Sequence, residues 1–472
     1  MRKHIIGTLI GALAVAGACS EPLSSPNQDA VVAGSPQRIQ TLVTGILATD
    51  RGQGAAYSYI LYLETEARNT AYLTTNEPRY VNELIGVPID PSDFIGGSGW
   101  TGGYQTARAT TQLLDGATLA AAPAGDQAAV KGLVQTIKAL DYIRNIQLRD
   151  SLGGPIQGDN PSVVDPWRTK AAQLAYVSAL LDSGYASLTA AGVDAKEPVT
   201  LPSGYTTNGD YTLTANLALF NRGLAGEALV MRGLDHQSPC SACFAQAITA
   251  LNLALASTGA SPTATQLNLG PYYEFNPAAP ESFSNPLVDN HNYLTDNFVN
   301  SIAAGDARSS KIAKASSASA QVSGLQLTFR DPVTDPTNTS NLTRPIPIRR
   351  NADFYLFRAQ AKAESGDLAG AAADVNAVRV AEGGLSPVGA FANVAAARQA
   401  IVYEMRYSFI YEGPFYMIAL REYGMFNKAY VTQPGMPNLS SDPTHANDPL
   451  QMAIPIPLTE LAARNGNVTP QP

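Results

Sequence analysis

Apolar residues recur every three or four positions over much of the chain, a spacing that gathers them on one face of an α-helix. The clearest case lies between residues 352 and 384, where a first stripe contains Ala352, Leu356, Ala359 and Ala363. Gly366 then breaks the pattern, Asp367 can cap the next N-terminus, and a second apolar stripe continues to a pair of glycines. The pattern predicts two antiparallel helices joined by a short turn.

Alanines at the contact face of this helical hairpin allow the two backbones to approach closely, so the pair is too thin to cover its own apolar surface. It must stack on similar neighbours, as tetratricopeptide-like hairpins do. Comparable stripes predict further helices at residues 37–48, 57–70, 127–150, 169–188, 212–233 and 240–257. The sequence therefore predicts a mainly α-helical fold of stacked tetratricopeptide-like hairpins.

Helical periodicity is lost between residues 259 and 348. This segment concentrates tyrosine and phenylalanine between proline, asparagine and aspartate residues. Alternating polar and apolar positions predict one short strand at residues 325–330. Because long irregular segments inside a compact domain are more often functional than idle, we expect a loop-rich layer with little β-structure to carry a ligand-binding surface.

Three segments near the C-terminus carry a family resemblance: RRNADFYLFRAQAKAESGDLAGAAADVNAVRVAEGGL, IVYEMRYSFIYEGPFYMIALREYG and AIPIPLTELAARNG, beginning at Arg349, Ile401 and Ala453. In sequence and order they resemble blocks of the SusD/RagB family. The resemblance implies a right-handed superhelical scaffold of helical hairpins. In function it implies an outer-membrane lipoprotein, without cofactor or enzymatic activity, that captures oligosaccharides or other nutrients for a SusC-like TonB-dependent transporter.

The N-terminus has the layout of a secretory signal, since Arg2 and Lys3 precede an apolar run and small residues precede Cys19. This predicts a lipoprotein signal peptide at residues 1–18 and a lipid anchor on Cys19 that holds the mature protein at a membrane surface. The family resemblance implies that this membrane is the outer membrane and that the protein faces the exterior. An ordinary secretory signal is the alternative. We expect a flexible tether at residues 19–35 and a single domain at 36–472, with a loop-rich insertion at 259–348 and a C-terminal helical part at 349–472.

Cys240 and Cys243 form a CxxC pair, which can be a redox centre, half of a zinc site or a local disulfide. Only His236 lies nearby as a further zinc ligand, and an exported chain favours oxidised cysteines. We therefore predict a disulfide at the start of the helix that begins near Cys243, and no metal site.

The candidate ligand contacts are aromatic, because such rings stack on the apolar faces of sugars while Asn and Asp accept hydrogen bonds from hydroxyls. Within the irregular segment they are Tyr272, Tyr273 and Tyr293; their alternative role is to fasten the loop layer onto the helices. Trp100 and Tyr104 lie where a glycine-rich loop enters a helix, and the family resemblance makes them ligand candidates. A buried anchor is the alternative for Trp100. Tyrosines at positions 57, 59, 62 and 72 are interpreted mostly as core residues.

Composition and charge narrow the function classes. The net charge is −8 and no basic cluster extends beyond Arg349 and Arg350, which disfavours nucleic acid as a partner. No HExxH or GxSxG motif is present, and the aspartates of the irregular segment lack the spacing of an EF-hand. Two alternatives to a nutrient-binding lipoprotein remain: a secreted glycoside hydrolase on an all-helical scaffold, which needs only two carboxylates, and a helical-repeat adaptor that binds protein.

Overall fold

The computed structural model describes residues 35–86, 88–114, 118–120, 122–157, 163–192, 194–279, 281–437 and 450–471. Long helices dominate this part of the chain. In chain order they are α1 (Pro36–Gly54), α2 (Tyr57–Glu66), α3 (Thr101–Leu114), α4 (Ala124–Arg149), α5 (Lys170–Ala191), α6 (Thr214–Gly233), α7 (Ser241–Ala254), α8 (Asn351–Glu364), α9 (Leu368–Ala381), α10 (Val394–Ser408) and α11 (Phe415–Glu422).

Shorter helical segments fill the connections. They are Arg79–Val81, Asn82–Gly86, Phe94–Gly97, Asp150–Leu152, Gly204–Thr207, Ala264–Leu267, Asp296–Asn300, Ala307–Lys311, Pro332–Thr334, Thr339–Thr343, Lys428–Val431 and Leu458–Ala463.

The strands are short and all pair in antiparallel fashion. They are β1 (Thr70–Tyr72), β2 (Gly154–Pro155), β3 (Trp167–Arg168), β4 (Tyr272–Tyr273), β5 (Asn292–Leu294), β6 (Ala313–Lys314), β7 (Phe329–Arg330) and β8 (Ile346–Pro347). A four-stranded sheet has the order β1-β5-β7-β6, and β2-β3 and β4-β8 form separate pairs. Five of these strands, β4 to β8, come from the irregular segment between residues 259 and 348. Three of the five, β5, β6 and β7, join β1 near the start of the chain in the largest sheet.

Consecutive helices pack side by side as predicted. The pairs α4 and α5, α6 and α7, and α8 and α9 lie against each other, and α5 with α6 and α7 with α8 continue the stack. Helices α1 and α3 extend it beyond α4, and α10 extends it beyond α8 and α9. The mainly α-helical, tetratricopeptide-like fold is therefore confirmed.

The hairpin of α8 and α9 contains the features that the sequence predicted for it. Gly366 turns the chain with a φ of +85°, where an L side chain would be strained. Asp367 caps α9 by accepting a hydrogen bond from the Gly370 amide at 2.8 Å. Ala359 of α8 and Ala371 of α9 are fully buried, so small residues do line the contact between the two helices.

A glycine sets the distance between α6 and α8. A Cβ atom placed on Gly223 of α6 would fall far inside contact distance of the Phe354 ring of α8. The two helices therefore pack with the Phe354 ring directly on the α6 backbone.

Two predicted boundaries differ from the structure. The helix expected at 57–70 ends at Glu66, because Arg68 takes a left-handed φ of +61° and the chain then enters β1. Of the strand expected at 325–330, only Phe329–Arg330 joins the sheet.

One cluster of buried apolar side chains contains residues of all the long helices, and a second, smaller cluster lies beside the four-stranded sheet. Within the described ranges, no helix has both the length and the apolar character needed to cross a bilayer. The signal peptide and Cys19 predicted at the N-terminus lie outside the described residues.

Candidate functional site

Four rings lie in a row at the surface beside the four-stranded sheet, and we call them the aromatic patch: His291, Tyr72, Tyr80 and Phe94. The successive ring centroids are 5.1, 4.7 and 5.3 Å apart. Phe94 is 40% exposed, and the other three are partly exposed. A row of partly exposed rings offers several apolar faces to one elongated ligand.

Strand pairing positions one end of the aromatic patch. Tyr72 of β1 is the cross-strand partner of Asn292 of β5, and the Leu73 amide donates to the His291 carbonyl at 2.9 Å. Side chains alternate between the two faces of a sheet. Ala71 and Leu73 are therefore directed into the small apolar cluster, while Tyr72 between them is directed toward the ring row.

The other end of the patch comes from the connection between β1 and α3. Tyr80 belongs to the short helix Arg79–Val81, and Phe94 begins the helix Phe94–Gly97. Asp93 caps that second helix by accepting hydrogen bonds from the amides of Ile95 and Gly96 at 2.8 and 2.9 Å. The cap fixes the start of this helix and therefore the backbone position of Phe94, whose ring is exposed.

Two further tyrosines, Tyr57 and Tyr62, pack against the rings of the row. The Tyr57 ring lies 5.1 Å from that of Tyr72 and 5.8 Å from that of Tyr80, and the Tyr57 hydroxyl donates to the Asn292 side chain at 2.9 Å. Tyr62 is buried, and its ring lies 6.0 Å from that of Tyr80. The tyrosines of α2 are thus core residues, as expected for most of that group, whereas Tyr72 is directed to the surface.

Polar groups border the rings. Asp289 Oδ1 lies 2.6 Å from His291 Nδ1, and the two side chains are 35% and 41% exposed. At the other end, the Arg79 guanidinium lies 4.7 Å from the centre of the Phe94 ring and pairs with Glu77. The patch thus combines apolar faces with hydrogen-bond donors and acceptors at its edge, which is the combination that a polyhydroxylated ligand needs.

Burial sets the ionisation of the patch. It raises the pKa of the Tyr72 hydroxyl, and the charge of Asp289 raises it further. Burial likewise raises the pKa of the Tyr80 hydroxyl, so both remain protonated near neutral pH. Burial also raises the pKa of the Glu83 carboxyl to about 7, with a further contribution from Asp93.

Trp100 and Tyr104, two of the predicted ligand contacts, lie together in a different place. Trp100 is 7% exposed, stacks on Trp167 at 5.6 Å and donates its indole hydrogen to Glu460 at 3.3 Å. Tyr104 lies 5.0 Å from Trp100. Both residues line a cavity of about 500 Å³, together with Arg464.

Tyr272 and Tyr273 form β4. The Tyr272 hydroxyl donates to the Asn268 carbonyl at 2.9 Å. The Tyr273 hydroxyl, which is buried, donates to Asp50 at 2.9 Å and accepts from Arg144. Both tyrosines line a cavity of about 610 Å³, and Tyr272 also lines a second cavity of about 350 Å³.

Tyr293 lies inside the small apolar cluster and is 5% exposed. Its cross-strand partner is Ala71, and partners in register share one face of a sheet. Tyr293 is therefore directed away from the face that carries Tyr72. The five predicted aromatics thus lie at three places, and the structure does not bring them together into one site.

Cys240 and Cys243 are joined by a disulfide with an S–S distance of 2.05 Å, and Cys240 is the N-cap residue of α7. The described residues contain no group of three or more His, Cys, Asp or Glu side chains that could hold a metal ion. Two aspartates of the irregular segment have separate partners: Asp306 pairs with Arg308, and Asp289 contacts His291. They therefore do not come together around one ion.

The sequence did contain a signal for the aromatic patch. Tyrosines are dense between positions 57 and 80, and Tyr72 alternates with Ala71 and Leu73 in the way that a surface strand does. The prediction of a helix up to residue 70 concealed that alternation. The pairing of β1 with β5, which adds His291, joins positions that are distant in the sequence and could not be derived from a local pattern.

No protein-family model matches the sequence, and no curated protein matches it. Solved structures do match. A SusD superfamily protein from Bacteroides thetaiotaomicron is 15% identical with a TM-score of 0.66, covering 92% of this chain and 98% of that one. A SusD-like carbohydrate binding protein from Bacteroides vulgatus is 15% identical with a TM-score of 0.58, covering 83% and 84%.

A third structure, of a protein crystallised with a xylogluco-oligosaccharide, is 11% identical with a TM-score of 0.68 and covers 92% of this chain and 99% of that one. Similarity at these identities establishes the fold. The fold implied by the resemblance to the SusD/RagB family is therefore confirmed: the chain folds like the solved SusD superfamily structures.

Proposed function

We propose that this protein binds oligosaccharides through the aromatic patch. The observation that carries the proposal is the continuous row of Tyr72, Tyr80, Phe94 and His291, with Asp289 and Arg79 at its ends. The rings offer stacking faces for sugar rings, and the charged groups offer hydrogen bonds to hydroxyls. The carbohydrate-binding protein and the oligosaccharide complex among the structural neighbours support the same ligand class.

In the proposed mechanism the protein captures its ligand without chemical change. The ring faces exclude water from the apolar faces of the sugar. The Tyr80 hydroxyl can donate a hydrogen bond to the ligand, whereas the Tyr72 hydroxyl already interacts with Asp289. The supporting tyrosines Tyr57 and Tyr62 hold the row in place before a ligand arrives. A preorganised surface loses little conformational freedom on binding.

A panel of soluble oligosaccharides, beginning with xylogluco-oligosaccharides, tests this site by isothermal titration calorimetry. For a ligand that binds the wild type, Tyr72→Ala and Tyr80→Ala should each weaken affinity about tenfold, since an aromatic contact contributes about 1 kcal/mol beyond its buried area. Tyr185→Ala is the matched control, because that partly buried ring lies on α5 and contacts Arg222 instead. Equal affinity in all variants would place the ligand elsewhere.

We further propose that the bound ligand is passed to a SusC-like TonB-dependent transporter in the outer membrane. The SusD superfamily fold and the signal-like N-terminus ending at Cys19 support this arrangement. Affinity purification of the tagged full-length protein from detergent-solubilised membranes of the source bacterium should recover a large β-barrel partner. Purification that repeatedly recovers no such partner would contradict the proposal.

The lipid anchor has its own test. Metabolic labelling with a fatty-acid analogue should label the wild-type protein, and Cys19→Ala should abolish the label and release the protein from the membrane fraction. Labelling that persists in Cys19→Ala would contradict an anchor at this cysteine.

A further inference from the structure

The cavity of about 610 Å³ that Tyr272 and Tyr273 line lies beside α1, and we call it the α1 cavity. Three stretches of the chain form its walls: residues 40–51 of α1, residues 200–205, and β4 with the residues that follow it to Asn276. The α1 cavity shares no lining residue with the aromatic patch. Its volume lies within the range of small-molecule sites, so it can enclose a sugar unit.

Hydrogen bonds join the three walls of the α1 cavity. The Gln40 side chain accepts from the Thr200 amide at 2.7 Å and donates to the Thr200 carbonyl at 3.0 Å. The Arg51 guanidinium donates to the backbone carbonyl of Glu274 at 2.9 Å. The Ser203 hydroxyl donates to the Glu274 carboxylate. The shape of the cavity is therefore fixed by contacts between its walls.

Most charged groups at the α1 cavity are already paired. Arg51 is the one cation among the described residues that line it, and it forms an ion pair with Glu281. Asp50, which also lines the cavity, pairs with the buried Arg144. Arg144 lies 2.6 Å from Asp141 as well, but burial raises the pKa of the Asp141 carboxyl to about 8, so that carboxyl is mostly neutral at pH 7. These groups therefore leave no excess of either charge.

Glu274 adds a carboxylate that the two pairs do not balance. No ion pair within the described ranges of the chain includes Glu274. Its carboxylate oxygens accept hydrogen bonds from the hydroxyls of Ser203 and Thr207, which are neutral. Glu274 is half-buried and both hydroxyl residues are exposed, so the carboxylate can be reached from solvent. Each carboxylate oxygen has a second lone pair for a further hydrogen bond.

Other lining residues are also accessible to a ligand. Ala48 and Pro202 are exposed and present apolar surface. Thr44 and Asn276 are exposed and carry groups that form hydrogen bonds with hydroxyls. A sugar ring has the same two kinds of surface, apolar C–H faces and hydroxyl edges, so the lining is suited to such a ring.

We propose that the α1 cavity binds a sugar unit with a free ammonium group, a hexosamine, whose ammonium lies at the Glu274 carboxylate. An ammonium donates charge-assisted hydrogen bonds to a carboxylate and supplies the positive charge that balances Glu274. The sugar ring then lies against Ala48 and Pro202. This site goes beyond the proposed function, because it is separate from the aromatic patch and selects one charged class of sugar.

Calorimetric titration with glucosamine, N-acetylglucosamine and ethylamine at pH 6 and low ionic strength tests the inference. Glucosamine, protonated at this pH, should bind at least about tenfold more tightly than either comparison compound. N-acetylglucosamine keeps the ring but lacks the positive charge, and ethylamine keeps the charge but lacks the ring. Failure of glucosamine to bind would overturn the proposal. Equal binding of either comparison compound would also overturn it, because ring or charge alone would then account for the interaction.

Variants locate the site. Glu274→Gln should weaken glucosamine binding about tenfold, because it removes a charge-assisted hydrogen bond. Asp296→Asn, an equal change of charge at an exposed residue outside the cavity, should leave the affinity unchanged. Glutamine can still accept a hydrogen bond from a hydroxyl, so the unfolding midpoint should change little.

A second variant tests the cavity by its space rather than by its charge. Ala48→Phe places a ring in the cavity from an exposed position of α1, and it should also weaken glucosamine binding about tenfold or more. Unchanged affinity in both Glu274→Gln and Ala48→Phe would overturn the proposal.

The aromatic patch provides an independent control. Tyr72→Ala should retain glucosamine binding, because Tyr72 does not line the α1 cavity. Loss of glucosamine binding in Tyr72→Ala would place the amino sugar at the patch, and the cavity proposal would be wrong. A wild-type protein that binds oligosaccharides but not glucosamine would refute the cavity proposal alone. One that binds glucosamine but no oligosaccharide would refute only the proposed function of the patch.

Discussion

A single buried carboxyl group, that of Glu197, should make the stability of this protein depend on pH. Glu197 is 7% exposed, and neither of its carboxylate oxygens has a hydrogen-bond partner within the described part of the chain. Burial, reinforced by the charge of Asp126, raises the pKa of its carboxyl from 4.5 to about 8. The folded protein therefore holds a proton on Glu197 at pH values where the unfolded chain has released it.

Stability should consequently fall as pH rises through the window between these two pKa values, because the folded state binds more protons there. Glu197→Gln removes this dependence. We expect the free energy of unfolding of the variant, relative to wild type, to increase from pH 4.5 to pH 8 by about 2–4 kcal/mol. Urea unfolding at several pH values measures it, with Asp194→Asn at an exposed position as control. A constant difference across this window would contradict the raised pKa.

Trp100 is the residue at which stability and binding are most easily separated. It is stacked on Trp167 and covered by Arg149, whose guanidinium carbon lies 5.4 Å from the Trp100 ring. Trp100→Ala should therefore lower the free energy of unfolding by about 3–5 kcal/mol, and Trp100→Phe should lower it less. Denaturant unfolding measures both. An unchanged midpoint together with lost oligosaccharide affinity would instead identify Trp100 as a ligand contact.

At the scale of elements, two helical glycines have opposite surroundings: one lies where two helices pack closely, and the other lies on an open helix surface. Gly223 lies against Phe354, whereas a Cβ atom added to Gly45, in the middle of α1, would meet no atom of the described residues within 4 Å. Gly223→Ala should destabilise the protein by about 1–3 kcal/mol, because the Phe354 ring must move. Gly45→Ala should stabilise it by about 0.5–1 kcal/mol, because alanine favours the helix.

Thermal unfolding of the two variants measures both effects under identical conditions. The opposite signs are the critical result, since both substitutions add the same methyl group to a helix. Equal changes in the two variants would mean that α6 and α8 do not pack as closely as Gly223 indicates.

The helices could be predicted from the sequence because their information is local. Gly366 and Asp367 mark the turn of the α8 and α9 hairpin, and the alanine stripes identify its contact face. The sheet could not be predicted in the same way. Its strands are two or three residues long, too short for a pattern, and their pairing depends on contacts between distant segments.

The candidate site was difficult to predict for the same reason. Residue type led to the prediction that aromatic side chains contact the ligand, and Tyr272 lines two cavities. Which ring is directed outward depends on register, however, and Tyr293 differs by one position from Asn292, the partner of Tyr72. Composition can suggest which residue types would contact a ligand, but only strand pairing determines which rings are exposed.

At the scale of the whole molecule, the main apolar cluster contains residues from every long helix, from Ile39 in α1 to Leu420 in α11. Such a continuous core couples the stability of each hairpin to that of its neighbours. We therefore expect residues 36–472 to unfold as one domain, with a single calorimetric transition whose calorimetric and van't Hoff enthalpies agree. Two resolved transitions would show that the irregular segment or the C-terminal helices unfold independently.

The aromatic patch is assembled from two regions that are synthesised at different times. Tyr72 emerges early from the ribosome, whereas His291 follows only after α7 has been made, and β5 must then return to β1. A nascent or truncated chain that ends before β5 should therefore pass through an immobilised-glycan column unretained. Retention on such a column would serve as a reporter of completed folding, which distinguishes mature molecules from arrested ones without any label.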